Sequence, residues 1–258
     1  MIAPGHGRPR VLHRGWSILF GVAGLALLPW IVLLYLLQPR TAAVGDLPLA
    51  AGGAVAAITL GLVASVVLAL LGSAFLVTTT SATAALALCA GFFHLVTGTA
   101  THTRAAVTTA LVLGPVALLC AGIAWYEAVS TRSRIRSGAL ALILVVAAVA
   151  TVLAWTRSAA AGFPAQNAHH LKLTWTVLDI AEAATLLATA AALRWRPRVV
   201  PAVASAAGAL LCCDVWFNTV GAVGEARTDG VQMAFVSIPL AVAAFAVAAW
   251  EVRRTSGR

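Results

Sequence analysis

The sequence predicts an all-α integral membrane protein: one domain over residues 1–258, folded as a polytopic bundle of about eight transmembrane helices. Three observations carry this. Of the 258 residues 61% are hydrophobic and only 10% charged, whereas soluble domains carry roughly 25% charged residues. The apolar residues come in blocks of about 20, the length that crosses a hydrocarbon core of roughly 30 Å. Most charges fall between those blocks. A soluble fold is excluded, and so is disorder, because disordered segments are poor in apolar residues.

The spans fall at 16–37, 51–77, 81–100, 105–128, 137–157, 173–194, 199–222 and 231–251. The first follows Arg8, Arg10 and Arg14 as a signal peptide would, but it is too long for an apolar signal core and reads as a retained helix. The second and third are parted by an uncharged turn near Thr78–Ser81, since a fused stretch of about 50 residues cannot be one span. Alternation from an inner N-terminus makes every even-numbered connection cytoplasmic. Those segments hold Arg132, Arg134 and Arg136, then Arg194, Arg196 and Arg198, then Arg253, Arg254 and Arg258. The count is 12 basic residues inside against five outside (Arg40, Arg104, Arg157, Lys172, Arg227). Both termini are therefore expected in the cytoplasm, with the chain in the plasma membrane. The net charge of +9 is topogenic, so no nucleic-acid partner is expected. Cys89, Cys120, Cys212 and Cys213 sit inside apolar blocks without CxxC spacing and read as small buried hydrophobes.

The two halves match at an offset of 124. Cys89-Ala90-Gly91-Phe92-Phe93-His94-Leu95-Val96 overlies Cys213-Asp214-Val215-Trp216-Phe217-Asn218-Thr219-Val220. At the same offset Pro115 meets Pro239, Tyr126 meets Trp250 and Glu127 meets Glu251. This suggests a four-plus-four tandem repeat, 8–130 and 132–254, with both halves in one orientation.

What the second half adds is acid. The sixth span carries Asp179 and Glu182 where the second has Val55 and Ile58, and the seventh carries Asp214 where the third has Ala90. Spacing of i, i+4, i+7 puts Trp175, Asp179 and Glu182 on one helix face, and Asp214, Phe217 and Asn218 share another. At 1.5 Å per residue, Asp179, Glu182, Asp214 and His94 lie about 9–15 Å inside the outer ends of their spans. Ionisable groups at that depth are costly and normally face protein or water. The bland alternative is polar glue between helices, but three acids on adjacent spans point to a site. Asp179, Glu182 and Asp214 are the candidate catalytic groups. Trp175, Trp216, Phe217, Asn218, His94 and Phe93 are the candidate substrate-binding groups around them. Clustered acids in low dielectric pair a proton donor with an acceptor, and ring faces attract cations. Trp30, Tyr35 and Trp155 are further rings on neighbouring spans, the first two near a membrane interface.

The elements Trp175-x3-Asp179-x2-Glu182 and Asp214-x-Trp216-Phe217-Asn218 resemble those of small actinobacterial polytopic membrane proteins. The broad plan is similar to the membrane-bound terpene cyclases of meroterpenoid and indole-sesquiterpenoid pathways. The resemblance covers mainly residues 170–222. It implies a membrane-embedded isoprenoid cyclase, in which a carboxylic acid protonates an alkene or epoxide of a lipid-like prenylated substrate. Asp214 or Asp179 would donate the proton, with Glu182 as partner. No DDxxD or NxxxDxxxD run is present to hold magnesium and a diphosphate. The alternative is a small proton-coupled transporter using the same acids. A metal hydrolase would draw on His94, His102, His169 or His170, but these lack HxxxH or HExxH spacing, so neither metal nor cofactor is expected.

Overall fold

A computed structural model of the chain describes residues 15–16, 18–26, 28–29, 47–97, 103–129, 138–160, 171–221 and 225–256. The described residues form eight helices and no strand. Helix α1 comprises the helical residues 15–16, 18–26 and 28–29. It is followed by α2 (Leu47–Leu71), α3 (Leu76–Thr97), α4 (Thr103–Val129), α5 (Gly138–Ala160), α6 (Leu171–Trp195), a 3₁₀ turn (Pro197–Val199), α7 (Val200–Val220) and α8 (Glu225–Ser256). Six of these helices, α2, α3, α4, α6, α7 and α8, are long and apolar enough to cross a membrane. Large apolar side chains such as Leu60, Leu118 and Phe235 lie bare on their outer faces. Water would not tolerate so much exposed apolar surface, whereas lipid tails cover it without penalty. The architecture is an all-α membrane bundle.

The structure moves one boundary. The turn between α2 and α3 lies at Gly72–Phe75, not near Thr78–Ser81. Gly72 has φ 62°, the left-handed conformation that ends a helix at little cost in glycine. Ser73 N–H donates to the Leu68 carbonyl at 2.9 Å and Gly72 N–H to that of Ala69 at 3.3 Å, closing the exposed carbonyls of α2. The threonine run is helical instead. Thr78 and Thr79 donate their hydroxyls to the Phe75 carbonyl and Thr80 donates to that of Leu76, at 2.7–2.8 Å. Such bonds to the preceding turn let a hydroxyl sit inside an apolar helix.

Helix α8 also begins earlier than the hydropathy implies and takes in Glu225 and Asp229. Near its other end Glu251 is fully buried, accepting a hydrogen bond from Arg254 at 3.2 Å. The Arg254 guanidinium stands 5.8 Å from the centroid of the Trp250 ring.

Helices α3 and α7 form the centre, and the packings around them come in matching pairs. Helix α3 packs on α4 as α7 packs on α8; α2 packs on α3 as α6 packs on α7; α3 touches α6 as α2 touches α7. Helix α2 carries α5, and α6 carries α1 through Gly24, whose bare Cα lies against Leu187 and Ala183. Where α3 meets α7, residues 124 positions apart touch. The Cys89 and Cys213 sulfurs lie 3.3 Å apart as free thiols, and the rings of Phe93 and Phe217 stack with centroids 4.5 Å apart. Both pairs lie on stripes of four-residue period, Ser81, Ala85, Cys89, Phe93 and Ser205, Ala209, Cys213, Phe217. Small residues along such a ridge let two helices approach closely. Ser81 donates its hydroxyl across this seam to the Ala202 carbonyl at 2.7 Å.

Arg8, Arg10, Arg14, Arg40, Arg132, Arg134, Arg136 and Arg258 lie outside the described residues, as do Trp30, Tyr35, His102, His169 and His170 and the side chain of Trp155.

Candidate functional site

Helix α6 turns one face inward. Leu178, Asp179, Glu182, Leu186 and Thr189 are buried along it, while Ile180 on the opposite side is exposed. The 3.6-residue period therefore carries both acids into the protein. Helix α7, begun by the turn at Pro197 and by Pro201 in its first turn, brings Asp214 to meet them. Asp179 is 7% exposed, Glu182 2% and Asp214 7%. The three carboxyls lie near one another where α6 packs on α7.

Their partners are few. Asn218, one turn beyond Asp214, donates from Nδ2 to Asp214 Oδ1 at 2.5 Å. Asn218 is in turn walled by α8, since a side chain at Gly230 would stand 2.6 Å from the Asn218 carbonyl oxygen. Asp179 Oδ2 and Glu182 Oε1 are buried with no hydrogen-bond partner among the described residues. Nor does any described basic side chain form an ion pair with the three acids. A carboxylate desolvated without a cation costs several kcal/mol. Buried together with no ion pair to a described basic side chain, three carboxyls can hold protons or receive a cation.

Three rings close one end of the cluster. Trp175 lies one turn before Asp179 and meets Phe93 edge-on at 5.7 Å and Phe217 at 6.4 Å, while Phe93 and Phe217 stack on each other. Seven of the nine candidate residues thus gather at the junction of α3, α6 and α7: Trp175, Asp179 and Glu182 from α6, Asp214, Phe217 and Asn218 from α7, and Phe93 from α3. Two stand apart. His94 is half-buried on α3 beside Phe93, with its position on the helix turned away from that ring. Trp216 lies on another face of α7 and is 37% exposed. Its indole N–H donates to the Ala50 carbonyl at 2.9 Å, and its ring sits over Gly53 of α2, where a methyl group would come 2.6 Å from Cε2.

The corresponding place in the first half is apolar: Val55, Ile58 and Ala90 are all buried hydrophobics. The acid cluster is thus built on one side of the α3–α7 seam only. Three features of this neighbourhood are not evident from composition: the Cys89–Cys213 contact, the seat of Trp216 on Gly53, and Cys212, which is exposed on the outer face of α7 rather than buried. The 124-residue offset pairs Cys89 with Cys213, and it was the one signal for that contact; nothing in the sequence marks Gly53. Among the described residues, no three His, Cys, Asp or Glu side chains gather so as to hold a metal ion.

No known protein family, no curated protein and no solved structure matches this chain.

Proposed function

We propose that the protein is a small proton-coupled membrane transporter that binds and releases protons at Asp179, Glu182 and Asp214. The observation that carries this reading is the pair of orphaned carboxyl oxygens, Asp179 Oδ2 and Glu182 Oε1, buried beside a third acid without a basic partner among the described residues. Polar glue would bond its acids to neighbouring helices; these oxygens are left open to a proton or a cation. Placement supports the same reading. The cluster adjoins the seam between residues 8–130 and 132–254, which we read as tandem repeats, and transporters place their sites between repeats. In this reading both termini are cytoplasmic, the membrane is the plasma membrane, and the acids lie in its outer half.

The test is a flux measurement. Proteoliposomes holding a pH dye and an imposed pH gradient are presented in turn with amino acids, nucleosides, carboxylates and organic cations. One class should collapse the gradient faster than in liposomes carrying Asp214→Asn. If no solute moves protons beyond the rate of that variant, the transporter reading is wrong.

A second reading is favoured by the rings. Phe93, Trp175 and Phe217 beside the acids supply what an acid-initiated isoprenoid cyclase requires, faces that stabilise a carbocation next to a proton donor. Expression in a host fed prenylated and epoxidised precursors should then yield a cyclised product that Asp214→Asn abolishes. Identical product profiles from the two proteins would dismiss it.

A further inference from the structure

We propose that the carboxyl cluster takes a lipophilic organic cation in exchange for a proton, an inference that rests on the transporter reading and names its cargo. The first ground is charge. Three buried acids with two unpartnered oxygens and no ion pair among the described residues form a site whose deprotonated state lacks a counter-charge. An anion would meet only repulsion there. A small hydrated metal ion needs several oxygen, nitrogen or sulfur ligands converging on one point, and no such group occurs among the described residues.

The second ground is the character of the walls. Phe93, Phe217 and the half-buried Trp175 stand one turn from the acids and pack on one another. Ring faces attract cations most strongly when the cation is poorly hydrated, because little water must be stripped from it. Charge balance fixes the exchange. A monovalent cation binding to the protonated cluster leaves a carboxylate–cation pair and sends one proton to water, with no net charge transferred.

Tetraphenylphosphonium is the probe, because it has no proton of its own to release. It is added to the purified full-length protein in nanodiscs of neutral lipid, in weakly buffered solution with a pH dye. The expected result is saturable acidification approaching one proton per bound cation, with a parallel change in tryptophan emission. Tetraphenylborate, of the same shape and opposite charge, should release none. Glu182→Gln and Asp214→Asn should each lower the release at least threefold while helicity by circular dichroism is kept. No acidification with tetraphenylphosphonium overturns the inference, as does equal acidification by both probes. The wild-type comparison of the two probes decides the matter even where a variant fails to fold. Proton-driven flux of some other solute without this release would leave the transporter reading standing and remove the cation. Release without flux in proteoliposomes would do the reverse.

Discussion

Glu182→Ile tests whether the acids serve function at the expense of stability. Ile58 holds the position 124 residues earlier and is fully buried there, so the substitution copies what the first half already tolerates. In the native protein Glu182 is 2% exposed and its Oε1 has no partner among the described residues. An unsatisfied buried polar group costs about 1–3 kcal/mol. Isoleucine removes that cost, and a swap of roughly equal volume returns less than about 1.5 kcal/mol as packing strain. The net expectation is a gain of about 1–2 kcal/mol, a factor of roughly 5–30 in the folded-to-unfolded ratio. Equilibrium unfolding in mixed detergent micelles, followed by helicity and tryptophan emission, measures it. Glu182→Gln should show no such gain, because the amide keeps a polar acceptor at the same place and adds donors. The stabilised Glu182→Ile protein should also release no proton to tetraphenylphosphonium. A Glu182→Ile protein less stable than wild type by about 1 kcal/mol or more would mean that the carboxyl is structural, and the reasoning from orphaned oxygens would fall.

Three other outcomes follow from the packing. Gly53→Ala should cost about 1–3 kcal/mol by displacing the Trp216 ring, whereas Gly114→Ala, with nothing within 4 Å, should cost nothing measurable in the same unfolding assay. Gly72→Ala forces a Cβ into the left-handed region at φ 62° and should destabilise by about 1–2 kcal/mol, with Gly72→Asn costing less. Mild oxidation should join Cys89 to Cys213, whose sulfurs already lie 3.3 Å apart where a disulfide needs about 2.05 Å. Proteolysis between α4 and α5 followed by a non-reducing gel would show the fragments still linked, and fragments that part would contradict the α3–α7 packing.

Much of the site was legible before any fold. Asp179, Glu182 and Trp175 share a face because α6 is a helix, and their inward orientation follows from the cost of presenting acids to lipid. The same logic covers Asp214 and Asn218 on α7, one turn apart and hydrogen-bonded. It did not extend to Trp216. Its neighbour Asp214 and its depth suggested a place at the acids, yet a residue two positions along a helix points about 200° away. There it finds Gly53, a partner from a helix about 160 residues earlier in the chain. The α2–α3 turn was misplaced for a local reason: hydroxyl residues suit turns as well as membrane helices, and hydropathy alone does not separate the two uses. Gly72, the residue that does end α2, lies inside an otherwise apolar run. Glu251 looked like a span-end residue by position and is fully buried because Arg254 on the next turn answers its charge.

By itself the sequence determined the class of protein and the face on which each acid lies. Segment length and hydropathy decide whether a stretch crosses a membrane, and helical periodicity decides which side chains share a face; both are local properties. Only the tertiary structure decided which faces meet. In an apolar chain many helix pairings bury similar surfaces, so the choice rests on shape, and here small residues on α3 and α7 let those two helices close on each other. That seam brings Cys89 against Cys213 and Phe93 against Phe217, on either side of Asp214 along α7.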